Sequence, residues 1–174
     1  AEMIEQQIEI ATKAGKTSTF IAHPDRGGPF PIVFFLMDAP GIREELRDMA
    51  RRLASAGYYV MLPNLYYRSG VESLGALETE ADRKRMFDIM RSINIAMVMS
   101  DTDALLAFAD GQDAASKGAA GAVGYCMSGT YAINAAARHP DRIKAAASIY
   151  GVRLVTKAED SPHLSARRVK GEIY

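Results

Sequence analysis

The sequence predicts an α/β fold with a mostly parallel sheet that begins in antiparallel strands and carries helices on both faces. Three observations favour this fold: short β-rich runs alternate with longer helical patterns, two of these runs are continuously apolar, and a hairpin-like pair of strands precedes them. The 174 residues contain no internal repeat, low-complexity tract or linker-like stretch. We therefore expect a single domain over residues 1–174.

The N-terminal part predicts a hairpin followed by a buried strand. Residues 7–12 and 17–22 have strand-like patterns on either side of residues 14–15, an Ala-Gly pair suited to a turn. Residues 23–29 are rich in glycine and proline and predict a surface turn. The run 31–37 is continuously apolar, as expected for a strand covered on both faces.

A helix and a second buried strand come next. Apolar residues recur at helical spacing from Ile42 to Leu53, with arginines and glutamates between them. Gly57 suits the residue that closes such a helix, because glycine readily adopts the left-handed conformation found there. The apolar run 58–62 predicts a strand, and Pro63 ends it.

The second half of the chain continues the alternation. Residues 78–110 form a long helical pattern, with a break predicted near residues 100–102, where residues that cap helices cluster. The remaining predicted elements are a strand at 119–124, a helix at 127–138, a strand at 143–150 and a β-like run at 169–174.

This topology indicates one edge of the sheet as the functional one. In sheets built mainly from parallel strands, ligands bind at the carboxyl ends of the strands. The loops expected to matter most are those that follow Met37, Leu62, Gly124 and Tyr150.

Composition and charge exclude several classes of protein. The 21 basic and 21 acidic residues balance, which argues against a nucleic-acid surface because phosphate binding needs a basic excess. No apolar run approaches the roughly 20 residues that span a bilayer, so no membrane partner is expected. The polar N-terminus has no signal-like segment and the chain has a single cysteine, which together favour a cytoplasmic protein.

No cofactor or metal is predicted. The single cysteine excludes a disulfide framework and a multi-cysteine metal site. Glycines at positions 118, 121, 124 and 129 lack the spacing of a dinucleotide fingerprint, and no phosphate-binding Gly-Lys-Ser/Thr follows them.

The segment 124–129, with the sequence GYCMSG, is the part of the chain that indicates chemistry. It follows a predicted strand and opens a predicted helix, the setting of a nucleophile elbow, whose sharp turn needs small residues two positions before and after the nucleophile. Centred on Cys126, these positions hold Gly124 and Ser128, both small. Centred on Ser128, they hold Cys126 and Thr130, a poorer fit. We therefore favour Cys126 as the nucleophile.

The predicted position also suits a reactive thiol. The positive end of the helix dipole would stabilise the thiolate of Cys126, and the backbone amide of Met127 would point at a developing oxyanion. The alternative is that Cys126 is an ordinary buried cysteine in a strand–helix turn, since free cysteines often belong to the core.

Four segments resemble the dienelactone hydrolase family of the α/β-hydrolase superfamily, and they occur in that family's order between about residue 32 and residue 174. The first is the cysteine elbow. The others are MDAPG at 37–41, which resembles a His-Glu-x-x-Gly loop, GYYVMLPNLYYR at 57–68, which resembles Gly-Tyr-x-Val-x-x-Pro-Asp-Leu-Tyr, and ASIYG at 147–151, which resembles a Tyr-Tyr-Gly strand end. The resemblance implies an α/β-hydrolase three-layer sandwich, truncated at its C-terminal end.

The resemblance also implies roles for individual residues. Cys126 would be the acyl-accepting nucleophile, and backbone amides of Met127 and of the Met37 region would hold the oxyanion. Asp38 stands where the family has a glutamate that contacts and helps to activate the thiol, and its side chain is one methylene shorter.

Two further residues are implied to bind substrate. Arg83, by its spacing from Asp101, falls near the family's arginine for the substrate carboxylate. Phe87 falls near a tyrosine that lines the site, so a hydroxyl is lost there.

A catalytic thiol needs a base, and the order of the triad in α/β-hydrolases is nucleophile, acid, histidine. Both partners are therefore expected after Cys126, and by the resemblance they would lie beyond Tyr174. We expect residues 1–174 to be an incomplete domain that is weak or inactive by itself. An uncovered sheet edge and exposed helix faces would favour self-association, or pairing with a missing C-terminal segment.

The three histidines in the chain are poor substitutes for the missing base. His23 is expected in a loop at the wrong edge of the sheet, and His139 is expected as a cation at the far end of the elbow helix. His163 could reach the active edge, where Asp160 would make a base–acid pair with it, although an ordinary loop residue is the simpler interpretation.

Three functions follow from these observations. The first is a hydrolase of small carboxylic esters or lactones that uses Cys126 on a small-molecule substrate. The second is a non-catalytic or redox-sensitive protein that binds small carboxylates on the same fold. The third is a serine esterase that uses Ser128.

Overall fold

The computed structural model, which describes residues 2–174, is a seven-stranded sheet with helices on both faces, and it confirms the predicted α/β class. The strands are β1 (Met3–Thr12), β2 (Gly15–Pro24), β3 (Ile32–Leu36), β4 (Tyr59–Pro63), β5 (Ala120–Tyr125), β6 (Ile143–Ile149) and β7 (Glu172–Ile173). The helices are α1 (Glu44–Ser55), α2 (Glu80–Arg91), α3 (Ile95–Asp110), α4 (Gly129–Arg138) and α5 (Pro162–Ser165).

The strands lie in the order β1-β2-β4-β3-β5-β6-β7. β1 pairs with β2 and β2 with β4 in antiparallel fashion, whereas β4, β3, β5, β6 and β7 run parallel to one another. The antiparallel start and the parallel remainder therefore match the prediction. Every residue of β3 and of β4 is buried, which explains their continuous apolar runs.

The N-terminal hairpin is longer than predicted. Its register extends to the pairing of Met3 with Pro24, so His23 and Pro24 belong to β2 instead of a surface turn. His23 is buried, and its ring stacks on Tyr59 of β4 with 5.4 Å between ring centroids. The hydrogen bonds of the extended hairpin outweigh the turn-forming tendency of this sequence, which sets in only from Asp25.

The long helical pattern consists of two helices, but the break lies at residues 92–94 and the prediction of a break near 100–102 was wrong. Asn94 caps α3, since its Oδ1 accepts a hydrogen bond from the amide of Met97 at 2.9 Å. The polar residues Asp101 and Thr102 lie inside α3 because tertiary contacts and the helix itself satisfy them. The Thr102 hydroxyl, for example, donates to the carbonyl of Met99 at 2.7 Å.

Asp101 is 1% exposed and forms a buried polar cluster. Its carboxylate accepts hydrogen bonds from two guanidinium nitrogens of Arg68, at 2.8 and 3.0 Å, and from the hydroxyl of Tyr67 at 2.6 Å. That hydroxyl also lies 2.7 Å from the hydroxyl of Thr12 at the end of β1. The cluster therefore joins α3, the turn after β4 and the N-terminal hairpin.

The two faces of the sheet are covered unequally. Helix α4 packs on β5 and β6 and against α3, whereas α1 packs against β2 and β4 on the other face. Beside Met49 and Leu53 of α1, the described residues leave an apolar groove of about 480 Å³ across β3, β5 and β6. Gly57 has a φ of +102° directly after the C-terminal cap of α1, as its predicted helix-closing role requires.

No single helix among residues 2–174 has the length and apolarity needed to cross a membrane. Helices α2 and α3 taken together are long and apolar enough, but they are bent by 69° relative to each other.

Candidate active site

The turn between β5 and α4 has the strained geometry of a nucleophile elbow. Strand β5 ends at Tyr125, residues 126–128 form one 3₁₀ turn, and α4 begins at Gly129. Cys126 has a φ of 54°, in the left-handed region that few residues other than glycine adopt. Its side chain is partly exposed. Backbone strain of this kind persists only where the surrounding structure enforces it, and it is common at functional sites.

Gly124 is the residue that makes this turn possible. A Cβ atom at this position would lie 1.9 Å from the carbonyl oxygen of Ser128 and 2.9 Å from the amide nitrogen of Gly129. The backbone of the elbow therefore folds directly over residue 124, and this close approach is the physical reason for the small-residue requirement used in the sequence argument.

Ser128 is buried, and its hydroxyl is hydrogen-bonded. Its hydroxyl donates a short hydrogen bond to the carbonyl of Met37, the first residue after β3. This contact ties the loop after β3 to the start of α4, and it leaves Ser128 without access to a substrate. The geometry thus argues against the serine-esterase alternative.

The loop after β3 is held at a second point by Tyr66. The Tyr66 hydroxyl donates to the carbonyl of Ala39 at 2.7 Å and lies 3.4 Å from the sulfur of Met127. Burial raises the pKa of Tyr66, and the neighbouring Tyr131, Asp38 and Cys126 raise it further. Asp38 and Cys126 follow β3 and β5, which are parallel neighbours in the sheet, so both lie at the carboxyl ends of adjacent strands.

Asp38 is paired with an arginine that the sequence analysis did not consider. The guanidinium of Arg43 donates to both carboxylate oxygens of Asp38, at 2.7 and 2.9 Å, and to the carbonyl of Gly41 at 3.0 Å. The hydrogen bond from Arg43 to Asp38 raises the pKa of Arg43. The role of Asp38 in activating the thiol stays a prediction, and the structure shows a bidentate ion pair that would have to share the carboxylate with Cys126.

The roles of Met127 and Met37 as oxyanion donors also stay predictions, and both residues lie where such donors are expected. Met127 lies in the first turn after β5, where backbone amides have no carbonyl of a preceding helical turn to bond. Met37 lies at the end of β3, next to β5 in the sheet. The hydrogen bond from Ser128 fixes the carbonyl of Met37 relative to the elbow.

Arg83 and Phe87 lie on exposed positions of α2. The Arg83 guanidinium donates to the carbonyl of Glu78 at 3.3 Å, and the ring of Phe87, 41% exposed, faces the guanidinium of Arg91 at 5.6 Å. Neither side chain lines the cavity beside the elbow. Their substrate-binding roles stay predictions to which the structure adds no supporting contact.

None of the three histidines is placed as a base for Cys126 by a hydrogen bond. His23 is buried in β2, where its Nδ1 lies 2.7 Å from the carbonyl of Pro24. His139 follows α4, as predicted, but burial lowers its pKa and disfavours the predicted cation. His163 is exposed, and its Nδ1 lies 2.7 Å from the hydroxyl of Ser161. Among residues 2–174, no three His, Cys, Asp or Glu side chains form a group that could hold a metal ion.

A cavity of about 260 Å³ lies beside the elbow, bounded by the junction of α2 and α3, the start of α4 and the loop after β6. Its wall includes residues that the sequence analysis missed: Arg91, Thr130, Tyr131 and Arg153. The loop after β6 is among those that the sequence indicates, because it follows a parallel strand. Nothing in the local pattern marks these particular residues, since they come together only in three dimensions.

Comparisons with known proteins agree with this geometry. The sequence pattern of the dienelactone hydrolase family matches residues 17–174. A "Putative carboxymethylenebutenolidase" of Methylorubrum extorquens is 34% identical over 154 residues, which cover 88% of this chain and 50% of that protein. A carboxymethylenebutenolidase of Pseudomonas putida is 25% identical over 163 residues, which cover 93% of this chain and 67% of the relative.

A similar structure and the lengths of the relatives complete the comparison. The crystal structure of a "Putative Dienelactone Hydrolase" from Klebsiella pneumoniae superposes with a TM-score of 0.84 at 25% identity, covering 99% of this chain and 71% of that one. The chain spans about half the length of the M. extorquens protein and of a similarly named Yersinia pestis protein.

Proposed function

Because this chain belongs to the dienelactone hydrolase family, we propose that it carries the nucleophile of a hydrolase that cleaves esters or lactones of small carboxylic acids. The observation that carries the proposal is Cys126, a partly exposed thiol held at a left-handed φ of 54° between a parallel strand and a helix N-terminus. The relatives named carboxymethylenebutenolidase support the reaction class.

In the proposed reaction the Cys126 thiolate attacks the carbonyl carbon of the ester, forming a C–S bond and a tetrahedral oxyanion. Collapse of this intermediate breaks the C–O bond, and the alkoxide leaves with a proton. Water then attacks the resulting thioester, which releases the acid and restores the thiol. For a lactone the alcohol and the acid are parts of one molecule.

Backbone donors and the helix would stabilise the charge that develops in these steps. The start of α4 supplies the positive end of a helix dipole at Cys126, which favours the thiolate. We assign the oxyanion to the amides of Met127 and Met37, and the hydrogen bond from the Ser128 hydroxyl to the Met37 carbonyl holds that residue against the elbow.

In this proposal, residues 1–174 do not supply the general base that deprotonates Cys126. His23 is engaged by a backbone carbonyl, and His139 follows the far end of α4. His163 shares its Nδ1 with Ser161. We therefore propose that a histidine outside these residues deprotonates Cys126 and drives hydrolysis of the thioester.

The test combines thiol labelling with turnover in the full-length protein. Cys126 should react with iodoacetamide faster than free cysteine at pH 7, and Cys126→Ala should abolish hydrolysis of p-nitrophenyl acetate. Ser128→Ala should lower turnover only in part, because its hydroxyl positions Met37 and takes no covalent part in the proposed reaction. An unreactive thiol together with full activity in Cys126→Ala would refute the proposal, and loss of activity in Ser128→Ala alone would select the serine esterase.

A second candidate is a small-carboxylate-binding or redox-sensitive protein without turnover. The observation that favours it is the bidentate pairing of Asp38 with Arg43, which occupies the carboxylate that the resemblance assigns to the thiol. Binding of a small carboxylate by the full-length protein, together with no ester hydrolysis, would support this candidate. The cytoplasmic location and the self-association expected from the sequence also stay predictions.

A further inference from the structure

Asp38 and Cys126 occupy matching positions at the carboxyl ends of two neighbouring strands. The parallel register of β3 and β5 ends with the pairing of Leu36 and Gly124. Asp38 and Cys126 each follow this pair by two residues, and neighbouring strands in a sheet lie about 4.8 Å apart. A charge on the side chain of residue 38 is therefore close enough to the elbow to act on the ionisation of the thiol.

The side of the loop after β3 that faces the elbow is fixed by two hydroxyl groups. The Ser128 hydroxyl donates to the carbonyl of Met37, and the Tyr66 hydroxyl donates to the carbonyl of Ala39 at 2.7 Å. Asp38 lies between these two anchored carbonyls. Its backbone is consequently held beside the elbow from both directions.

The other side of this loop is fixed by backbone hydrogen bonds to residues 72–74. The amide of Ile42 donates to the carbonyl of Glu72 at 2.8 Å, and the amide of Leu74 donates to the carbonyl of Pro40 at 3.0 Å. None of these anchors involves the side chain of Arg43. The loop therefore has ties that hold it in place without the ion pair, and the contribution of Arg43 is chiefly its charge.

The guanidinium of Arg43 meets the carboxylate of Asp38 within this anchored loop. It donates to both carboxylate oxygens, at 2.7 and 2.9 Å. Only 22% of the Asp38 side chain and 30% of the Arg43 side chain are exposed, so solvent ions screen their charges less than those of a surface pair. The pair brings the net charge of this loop beside Cys126 close to zero.

Other charged and titratable side chains surround the elbow. They are Glu45, which lies 3.4 Å from the Arg43 guanidinium, Tyr66 after β4, Tyr131 of α4, and Arg91, Arg153 and Asp160 on the cavity wall. These groups stay the same when only residues 38 and 43 are replaced. A change in the reactivity of the thiol in such variants is therefore attributable to the Asp38–Arg43 pair.

We propose that Arg43 is a positioning residue for the nucleophile: it holds and neutralises the carboxylate of Asp38, so that the thiolate of Cys126 forms beside a balanced ion pair. The inference rests on the proposed function and concerns the control of its nucleophile. A free carboxylate at residue 38 would disfavour the thiolate, because like charges repel strongly in a partly buried site. This assignment reverses the one implied by the family resemblance, in which Asp38 itself activates the thiol.

The test measures how the rate of Cys126 labelling by iodoacetamide depends on pH, in the full-length protein at low ionic strength. In Arg43→Gln, the pH of half-maximal labelling rate should rise by about one unit, because the carboxylate of Asp38 loses its counter-charge. The double variant Arg43→Gln with Asp38→Asn should return to the wild-type pH, since neither position then carries a charge. Arg43→Lys keeps the positive charge and should stay close to the wild type.

Arg47→Gln is the matched control. Arg47 lies one turn further along α1 and forms ion pairs with Glu44 and Glu72 instead of Asp38. Its replacement should leave the dependence of labelling on pH unchanged. The rise in Arg43→Gln should also become smaller in about 1 M NaCl, because salt screens the repulsion between Asp38 and the thiolate. A rise caused only by movement of the loop would respond neither to the charge of residue 38 nor to salt.

Three results would overturn the inference. The first is an unchanged labelling profile in Arg43→Gln. The second is a rise in that variant which Asp38→Asn does not reverse, since displaced backbone would then be the cause. The third is a rise in the single variant Asp38→Asn, which would show that the carboxylate activates the thiol. If Arg43→Gln does not fold, this single variant decides: labelling at or below the wild-type pH supports the inference, and labelling at higher pH overturns it.

Labelling does not require turnover, so the inference and the proposed function fail separately. If Cys126 drives ester hydrolysis but its labelling ignores Arg43, the hydrolase stands and the role of Arg43 is wrong. If the labelling shifts occur as described but no ester is hydrolysed, the charge balance at Cys126 stands and the proposed function fails.

Discussion

Replacement of Gly124 by alanine tests the central geometric claim about the elbow. The added Cβ would lie 1.9 Å from the carbonyl oxygen of Ser128 and 2.4 Å from its carbonyl carbon. Both are backbone atoms, so no side-chain rotation can relieve the clash. Ordinary contact begins near 3.4 Å, so the start of α4 would have to retreat by about 1.5 Å.

The expected cost follows from this displacement. Overpacking in a closely packed region costs about 1–3 kcal/mol, and a clash between backbone atoms belongs at the upper end of that range. For a domain of this size, each kcal/mol lowers Tm by about 2–4 °C, so Gly124→Ala should lower Tm by about 6–12 °C. Because the displaced segment carries Cys126, labelling of the thiol by iodoacetamide should also slow severalfold.

Strand β5 provides the matched control in Gly121. A Cβ there would lie 3.5 Å from the carbonyl oxygen of Ala145 and 3.9 Å from Val33, which is ordinary contact. Gly121→Ala should therefore stay within about 0.5 kcal/mol of the wild type and label normally. Thermal unfolding and labelling are measured on both variants. Equal Tm values for Gly124→Ala and Gly121→Ala would refute the view that backbone crowding shapes the elbow.

Three further predictions concern contacts around the site and the core. Asp101→Ala should lower the free energy of unfolding by about 3 kcal/mol, because it leaves Arg68 unpaired against a buried surface; a loss under about 1 kcal/mol in urea unfolding would contradict this. Ser128→Ala should cost about 1–3 kcal/mol, since the carbonyl of Met37 loses its buried donor, and a variant as stable as the wild type would show that the carbonyl finds another partner. Burial lowers the folded-state pKa of His139, so protonation favours the unfolded chain, and stability should decrease as pH falls below about 6.5. In His139→Gln, the free energy of unfolding should decrease less between pH 7 and pH 5.5. The same decrease in the variant and the wild type would contradict this role of His139.

Much of the fold could be predicted because its signals are local. The continuous apolar runs of β3 and β4 indicate strands covered on both faces, and the position of Gly124 before the cysteine indicates a tight elbow. The order of strands and helices follows from these runs together with the connection rules of parallel sheets. The same local pattern identified Cys126 as the residue at the turn, and its left-handed backbone agrees with that placement.

Local patterns misjudge residues whose partners are distant in sequence. Asp101 looks like a capping residue, yet it lies buried inside α3 because Arg68 and Tyr67 from the turn after β4 neutralise and bond it. Asn94 does the capping instead. Ser128 reads as a small residue or a rival nucleophile, and only the packing of the loop after β3 shows that its hydroxyl holds the carbonyl of Met37.

The sequence by itself determined the α/β class, the parallel orientation of the later strands and the identity of the residue at the elbow. These depend on apolar periodicity and on glycine at a tight turn, both of which act over a few neighbouring residues. Only the tertiary structure decided which charges lie near the elbow: Arg43 pairs with Asp38, and Arg91 and Arg153 line the cavity beside the elbow. Electrostatic and hydrogen-bond partners depend on distances through space. Local sequence patterns do not show these distances, because the sheet brings together loops that are far apart in the chain.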